Sequence, residues 1–587
     1  RVENYTIVTE PGTDTPGEIE GICADCGAEV SGILSPTGGY WVRLWDSAGD
    51  GWEGAELSVM IGTTEHRLTL EDGGEGTFLL PASSDEVTSI IFYKGDYDDE
   101  CTFELYAPNT IQPLCSRYGM DDVRDGEVLY RSANCADYSG VEAALAAVPV
   151  DLSPYTLESI HALLTARQTV KYGLPKSSQA TVDGYADAIL AAINGLVLDE
   201  GTGSGAEPVT LTLQSGEQLV ITSTGYRIGD GAETAHTGPY ILTSGGQEIA
   251  AAVLVESGYH AITLNNLNLK TTDASPFVLA PGTVVKLSVT GENILDGQEA
   301  DGFAGLNAPD GTFLVLSGTG SLTARGGDSA AGIGGNDGEA AGNTTIISGN
   351  VTATSVSDGA GIGGGYEGGA GTIVITGGTV YAECLADDGA GIGCGDDGEG
   401  GTITITGGTV TGKSTDDDGA GIGGGDNGGP DSITITDGII IAEGDDGAGI
   451  GDGQSSDGCI ITITGGNITA TSNDGAGIGA GSSGNNTIVN ITGGTIAAAS
   501  GDGAGIGAGS FSDGCAVTVS NGDITAVSEY GAGIGGGNES GCEYGGVTTV
   551  TILDGNVTAR SVYGAGIGNG DYSNYYYYDY NNYYYCP

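Results

Sequence analysis

Six aspartates stand at one fixed place in a repeated phrase. Asp358, Asp388, Asp418, Asp446, Asp474 and Asp502 each lie four residues before the isoleucine of a Gly-Ala-Gly-Ile-Gly segment, and Tyr530 and Tyr563 take that place later. Carboxylates are the hard oxygen donors that Ca2+ prefers. Stacked in a column they repel one another unless water or bridging cations intervene. The same residues also describe plain Asp-Gly turns with solvated side chains. A second pair, Asp46 and Asp50, sits in Trp45-Asp46-Ser47-Ala48-Gly49-Asp50-Gly51-Trp52. These two could offer oxygens to Ca2+ or shape an Asp-Gly hairpin turn over an aromatic core.

Other chemistries find little support. Cleaving an anionic polysaccharide by elimination needs an Arg or Lys base and cations to meet the substrate. From residue 207 onward the basic residues are Arg227, Lys270, Lys286, Arg325, Lys413 and Arg560, and they are scattered. A glycosidase needs two carboxylates converging on one bond, whereas the acids here recur with the repeat. His66, His161, His236 and His260 have no Cys or Asp partner at useful spacing, and Cys23-x-x-Cys26 has neither a second Cys-x-x-Cys nor a nearby His for zinc. The chain reads as something other than an enzyme.

The element that positions the aspartates is the repeat itself. Its isoleucines are Ile333, Ile362, Ile392, Ile422, Ile450, Ile478, Ile506, Ile534 and Ile567, at intervals of 28 to 33 residues. A fixed period in this range is the signature of one unit stacked many times. Between the phrases lies Thr-Ile-Thr-Ile-Thr-Gly-Gly-Thr-Val at 402–410 and its cousins, alternating apolar and polar as a half-buried strand does. Short strands divided by Gly, Asp and Asn describe turns of a parallel β-helix, about 4.8 Å apart. Ile403/Ile405, Ile433/Ile435, Ile461/Ile463 and Val517/Val519 are predicted to fill its interior. Thr404, Thr434, Thr462, Asn490, Thr518 and Thr551 are predicted to form an outward ladder. In Gly-Ala-Gly-Ile-Gly-Gly the face opposite Ala and Ile is bare glycine, which permits positive φ or close approach of another backbone. This repeat resembles the glycine-rich repeats of bacterial and protist surface proteins labelled carbohydrate-binding, over roughly 207–570.

Composition constrains the surroundings. Asp and Glu number 78 against 16 Lys plus Arg, a net charge of −62. Such a surface repels nucleic acid and anionic lipid. No run of about 20 apolar residues is present to span a bilayer. The chain opens on Arg1 rather than Met, which reads as a processed product. N-glycosylation sequons occur at Asn4, Asn343, Asn350, Asn467, Asn485, Asn490, Asn538 and Asn556. Asn350, Asn467 and Asn556 hold the same place in three different turns, as expected of a regularly glycosylated, secreted protein. Among eleven cysteines, Cys515 and Cys542 are almost one turn apart and are a candidate disulfide pair. The odd total leaves a thiol over, and Cys586 is the candidate for a bond to another chain.

The domain order follows. Residues 1–138 form a β-rich, Cys-containing module, β-sandwich-like, that holds all three Trp. Its stretch around Asp46 is similar to a "DSxGDGWxGA" motif of extracellular β-modules. Residues 139–198 carry three helix-spaced runs, expected to make a small three-helix bundle. The segments YTLESIHALLTARQTVKYG and SSQATVDGYADAILAAINGL within them resemble the FIVAR module of surface proteins, commonly a spacer. Residues 199–206 are a flexible linker, and residues 207–570 are the β-helix, irregular up to about 300. Residues 571–587 are a Tyr-rich tail in which Tyr575, Tyr576, Tyr577, Tyr578, Tyr583, Tyr584 and Tyr585 are amphipathic anchors of interface type.

The expected fold is mainly β, and the expected function is a structural subunit of an extracellular glycosylated filament or surface coat. Its partners are other copies and glycans, with N-linked glycans and Ca2+ as the expected additions. The module set and sequons look like those of mastigonemes, the flagellar hairs of stramenopile algae. A second expectation is a secreted adhesin or carbohydrate-binding protein whose Trp41, Trp45 and Trp52 stack on sugars. A third is an ice-binding protein with flat Thr ladders, although the sequon Asn490-Ile491-Thr492 interrupts both ladders.

Overall fold

The computed structural model describes the chain apart from residues 1, 24–28, 50, 53–54, 71–72, 82–86, 94–99, 112, 121–126, 133, 150–151, 153–154, 198–206, 415–417, 457, 513, 540–547, 571–576, 580–581 and 585–587. It divides into two units: residues 1–148 with 169–194, and residues 149–168 with 195–587.

The first unit holds eleven strands: β1 (Val2–Thr9), β2 (Gly17–Cys23), β3 (Glu29–Leu34), β4 (Gly39–Asp46), β5 (Glu56–Ile61), β6 (Thr64–Leu68), β7 (Glu75–Pro81), β8 (Val87–Tyr93), β9 (Cys101–Tyr106), β10 (Cys115–Tyr118) and β11 (Glu127–Arg131). They form antiparallel sheets in the orders β1-β2-β3, β10-β9-β4-β7 and β11-β8-β5-β6. Alternation along each strand decides the packing. Val42 and Leu44 of β4 and Phe103 and Leu105 of β9 meet Leu57 and Val59 of β5 and Ile90 and Phe92 of β8 in one core, all at 0% exposure. Two helices belong to this unit, α1 (Ser139–Ala146) and, numbered last along the chain, α3 (Gln179–Asn194), which pack together. Their buried residues, Val141 and Ala144 on one, Val182, Ala186 and Ile189 on the other, keep helical spacing.

The second unit is a parallel β-solenoid of about twelve turns. The remaining helix, α2 (Leu157–Gln168), packs on its strands Tyr259–Asn265 and Val284–Thr290. Lys286 Nζ donates to the Tyr155 carbonyl at 2.9 Å beside it. Among the described residues, the α-helices are therefore shared out between the two units.

Each regular turn contributes three strands, typified by Thr402–Ile405 in sheet A, Thr409–Ser414 in sheet B and Ile422–Gly423 in sheet C. Sheet A has 13 strands, sheet B 12 and sheet C 15. Thirteen strands at the usual spacing make a stack roughly 58 Å long. The register is direct: Ile333, Ile362, Ile392, Ile422, Ile450, Ile478, Ile506, Ile534 and Ile567 pair each with the next. The predicted interior pairs Ile403/Ile405, Ile433/Ile435, Ile461/Ile463 and Val517/Val519 are at most 1% exposed. The outward ladder Thr404–Thr434–Thr462–Asn490–Thr518–Thr551 is also in register. At the start, the edge of sheet C is closed by antiparallel strands Gly225–Ile228 and Thr234–Ala235.

Two features give the coil its corners. Ser355, Ser414, Ser472, Ser500 and Ser528 each donate a hydroxyl hydrogen bond of 2.7–2.9 Å to a carbonyl one turn back. Cys384 stands in the same column, its Sγ 2.8 Å from the Ser357 carbonyl. The second feature is the bare glycine face, where positive φ and close approach of another backbone both occur. Gly363 has φ +144°, and a Cβ there would lie 1.7 Å from the Gly393 carbonyl of the next turn. A Cβ on Gly364 would meet the Gly368 carbonyl at 1.7 Å. That face is filled by the coil's own backbone, since the loop after each phrase folds back over it, and it is closed to other molecules.

Candidate functional site

The candidate site is an acidic ridge along the corner between sheets B and C. The six aspartates named from the repeat are all half-buried there. The glycine after each aspartate is needed because the turns stack closely at this corner: a Cβ on Gly389 would lie 2.4 Å from the Gly359 carbonyl oxygen. The structure adds a second column that spacing alone did not suggest. Eight residues after Asp388, Asp418, Asp446, Asp474, Asp502 and Tyr530, a loop residue donates its backbone N–H to the carbonyl of the first-column aspartate one turn back. The pairs are Asp396 to Asp358, Asp426 to Asp388, Gln454 to Asp418, Ser482 to Asp446, Ser510 to Asp474 and Asn538 to Asp502, at 2.7–2.9 Å.

Chemistry along the ridge therefore depends on what occupies the second column. Where it is aspartate, three carboxylates converge: Asp358, Asp388 and Asp396 form one group, and Asp388, Asp418 and Asp426 another. Within each group one carboxylate oxygen per residue lies within 4.8 Å of the others. Further along, Gln454 Nε2 donates to Asp446 Oδ2 at 2.9 Å, and Ser482 and Ser510 share a hydroxyl contact. Asp446, Asp474 and Asp502 thus sit in the column without joining a three-carboxylate group among the described residues. The signal for the richer part was present in Gly-Asp-Asp-Gly at 395–398 and Gly-Asp-Asn-Gly at 425–428.

The electrostatics follow from this crowding. Burial, then Asp397, Asp388, Asp426 and Asp358, push Asp396 up to about 8. Burial, then Asp446 and Asp502, push Asp474 up to about 6. Asp396 Oδ1 is buried and makes no hydrogen bond. An orphan oxygen facing other carboxylates fits a hard divalent cation better than it fits a neutral ligand. The sign of the pH effect is fixed. The folded ridge holds protons that the unfolded chain releases near pH 4. The resulting stability is complete below that pH and is lost as pH rises through about 8 for Asp396 and about 6 for Asp474. In chelator, melting temperature is expected to fall steadily from pH 5 to pH 8.5. Asp396→Asn is expected to flatten that fall; an unchanged slope would show that the ridge does not titrate.

The remaining candidate residues are dispersed. Asp46 is 5% exposed, and its carboxylate accepts hydrogen bonds from the backbone N–H groups of Ala48 and Gly51. That is the turn-forming role; Asp50 lies outside the described residues. Trp41 is 7% exposed and Trp52 0%, the latter donating Nε1–H to the Trp45 carbonyl at 2.9 Å. Stacking of all three Trp on a sugar is therefore corrected: Trp41 and Trp52 are packing residues, and Trp45 alone is half-buried. Asn350, Asn467 and Asn556 are exposed at the first position of sheet B strands. Asn343, Asn485, Asn490 and Asn538 are half-buried, and Asn4 lies in β1 with its side chain undescribed. Cys515 is fully buried with a free thiol, while Cys542 and Cys586 lie outside the described residues. Burial pushes the Cys515 thiol well above its ordinary range and that of Cys394 up to about 12, so both stay protonated. Tyr577, Tyr578, Tyr583 and Tyr584 lie in a short antiparallel pair; Tyr575, Tyr576 and Tyr585 lie outside the described residues.

Comparison with known proteins places the coil. Segments 315–337, 345–366, 373–396, 403–426, 433–454, 461–482, 489–510, 517–538 and 550–571 match a family model described as a beta helix repeat. No curated protein and no solved structure matches the chain.

Proposed function

We propose that this chain, with β-helix repeats across 315–571, is a structural subunit of an extracellular, glycosylated filament or surface coat built from copies of itself. One observation carries the reading: the stack is open at its last described turn. Ile333 through Ile534 of the central column are at 0% exposure, whereas Ile567 is 53% exposed, with Leu553 at 71%. Strands Thr549–Ile552, Asn556–Ser561 and Ile567–Gly568 are the outer edges of the three sheets. Such edges offer unpaired backbone groups to another chain. Contacts of that kind that do not close generate fibres. The tyrosines of 571–587 follow this edge in sequence and supply anchors.

In this reading the ridge is bridged by Ca2+ through Asp358, Asp388, Asp396, Asp418 and Asp426, which removes the repulsion between carboxylates. The exposed Asn350, Asn467 and Asn556 carry N-linked glycans, and no catalytic step is assigned to the chain. The likeness to flagellar-hair proteins belongs to the same reading. Sedimentation velocity tests it. The full chain in calcium is expected to associate as concentration rises, and Ile567→Asp is expected to stay single with an unchanged melting temperature. A wild-type chain that sediments as one species at every concentration would refute the reading.

A further inference from the structure

The outward face of the sheet β10-β9-β4-β7 carries a second, unrelated constellation. On β4 the inward Val42 and Leu44 alternate with outward Trp41, Arg43 and Trp45. Opposite them on β9 stand Tyr106, Glu104 and Thr102, and Tyr118 of β10 pairs with Thr102. The Arg43 guanidinium lies 5.2 Å from the Trp41 ring centre and 4.2 Å from that of Trp45. Its Nη1 reaches Glu104 Oε2 at 3.4 Å. The hydroxyls of Tyr106 and Tyr118 each donate to Glu104 at 2.7 Å. Tyr106 also packs on Trp41, with ring centres 5.6 Å apart. This ladder closes Trp41 off and leaves Trp45 as its last ring.

Beside Trp45 is a groove of about 390 Å³, bordered by Ser47, Glu100, Thr102, Glu104 and Tyr118. That is the size of a small-molecule site. Its parts are held in advance. The Trp45 carbonyl anchors the buried Trp52 indole, and Glu104 is fixed by three donors. Tyr118, at 71% exposure, forms the outer wall.

We propose that this groove binds a neutral saccharide, with the C–H face of one sugar ring on Trp45 and its hydroxyls directed to the carboxylate and hydroxyl rim. Charge decides the ligand class. An anionic sugar would meet Glu100, Glu104 and Asp46 together. A cation would find Glu104 already paired with Arg43 and held by two tyrosines, Asp46 already taken by the Ala48 and Gly51 N–H groups, and the Trp45 ring already engaged by the Arg43 guanidinium. A neutral ring meets neither penalty: an aromatic platform takes its apolar face, and the rim oxygens accept its hydroxyl protons. The phenols remain donors at neutral pH, because burial raises Tyr106 and the Glu104 contact raises Tyr118. The inference is independent of the filament reading and concerns a different unit of the chain.

Cellohexaose, laminarihexaose and mannohexaose are the probes, titrated into the full chain and followed by tryptophan fluorescence and calorimetry. At least one is expected to bind saturably and shift the emission, since Trp45 is the accessible indole. Trp45→Ala and Tyr118→Ala are each expected to weaken binding by about tenfold or more. Tyr118→Ala leaves the Arg43–Trp45 ladder in place, so its far-UV spectrum should match the parent even if Trp45→Ala disturbs the sheet. Binding by none of the three sugars, binding that survives both substitutions, or tighter binding of a hexalysine peptide would each overturn the proposal.

Discussion

Gly423→Ala is expected to disrupt the coil around its turn. Gly423 has φ +150°, and a Cβ there would fall 1.7 Å from the Gly451 carbonyl oxygen and 2.7 Å from its carbon. Both obstacles are backbone, held in the stack by the direct pairing of Ile422–Gly423 with Ile450–Gly451. Neither can yield without displacing every turn above. The cost combines a disfavoured backbone conformation with overpacking, about 3–5 kcal/mol. Chemical denaturation should show the loss as a lower midpoint. Gly184→Ala in α3, where a Cβ meets nothing within 4 Å, should gain up to about 1 kcal/mol from helix propensity. A Gly423→Ala variant as stable as the parent would mean that successive turns do not approach as closely as described.

Ile422→Ala is the second large effect. Ile422 is fully buried between Ile392 and Ile450 in the central column. Truncation leaves a cavity whose walls are rungs of rigid sheet and collapse poorly. A loss of about 2–5 kcal/mol is expected. Ile567→Ala, at the 53% exposed end of the same column, should change stability by no more than about 0.5 kcal/mol. The contrast between the two, read in one denaturation series, checks both the register of the column and the open end. Equal effects at the two positions would contradict the assigned burial.

The period of the isoleucines and the Thr-Ile alternation were enough to read the stacking, because a solenoid repeats its local contacts and each repeat restates them. The ridge was legible only by half. Asp358 and Asp388 announce themselves by position, whereas Asp396 and Asp426 reach them only because a loop closes over the phrase and donates its N–H to the turn below. That return is a contact between turns, and periodicity within a turn does not report it. The glycine face was legible only as a choice between positive φ and close approach of another backbone, for the same reason. A missing side chain reads equally as an open surface or as a place for backbone, and Gly363 and Gly364 are the latter. Trp41 and Trp52 likewise carry no mark distinguishing a sugar platform from a core residue. Their fate is decided by Tyr106 and Phe92, which arrive from other strands, and for Trp41 also by Arg43 two residues along its own strand.

The most direct test of the central claim is electron microscopy of the full chain, concentrated in the presence of calcium. Unbranched filaments with a regular axial repeat are expected, and they shorten or vanish for Ile567→Asp. A field of separate, identical particles under those conditions would contradict it.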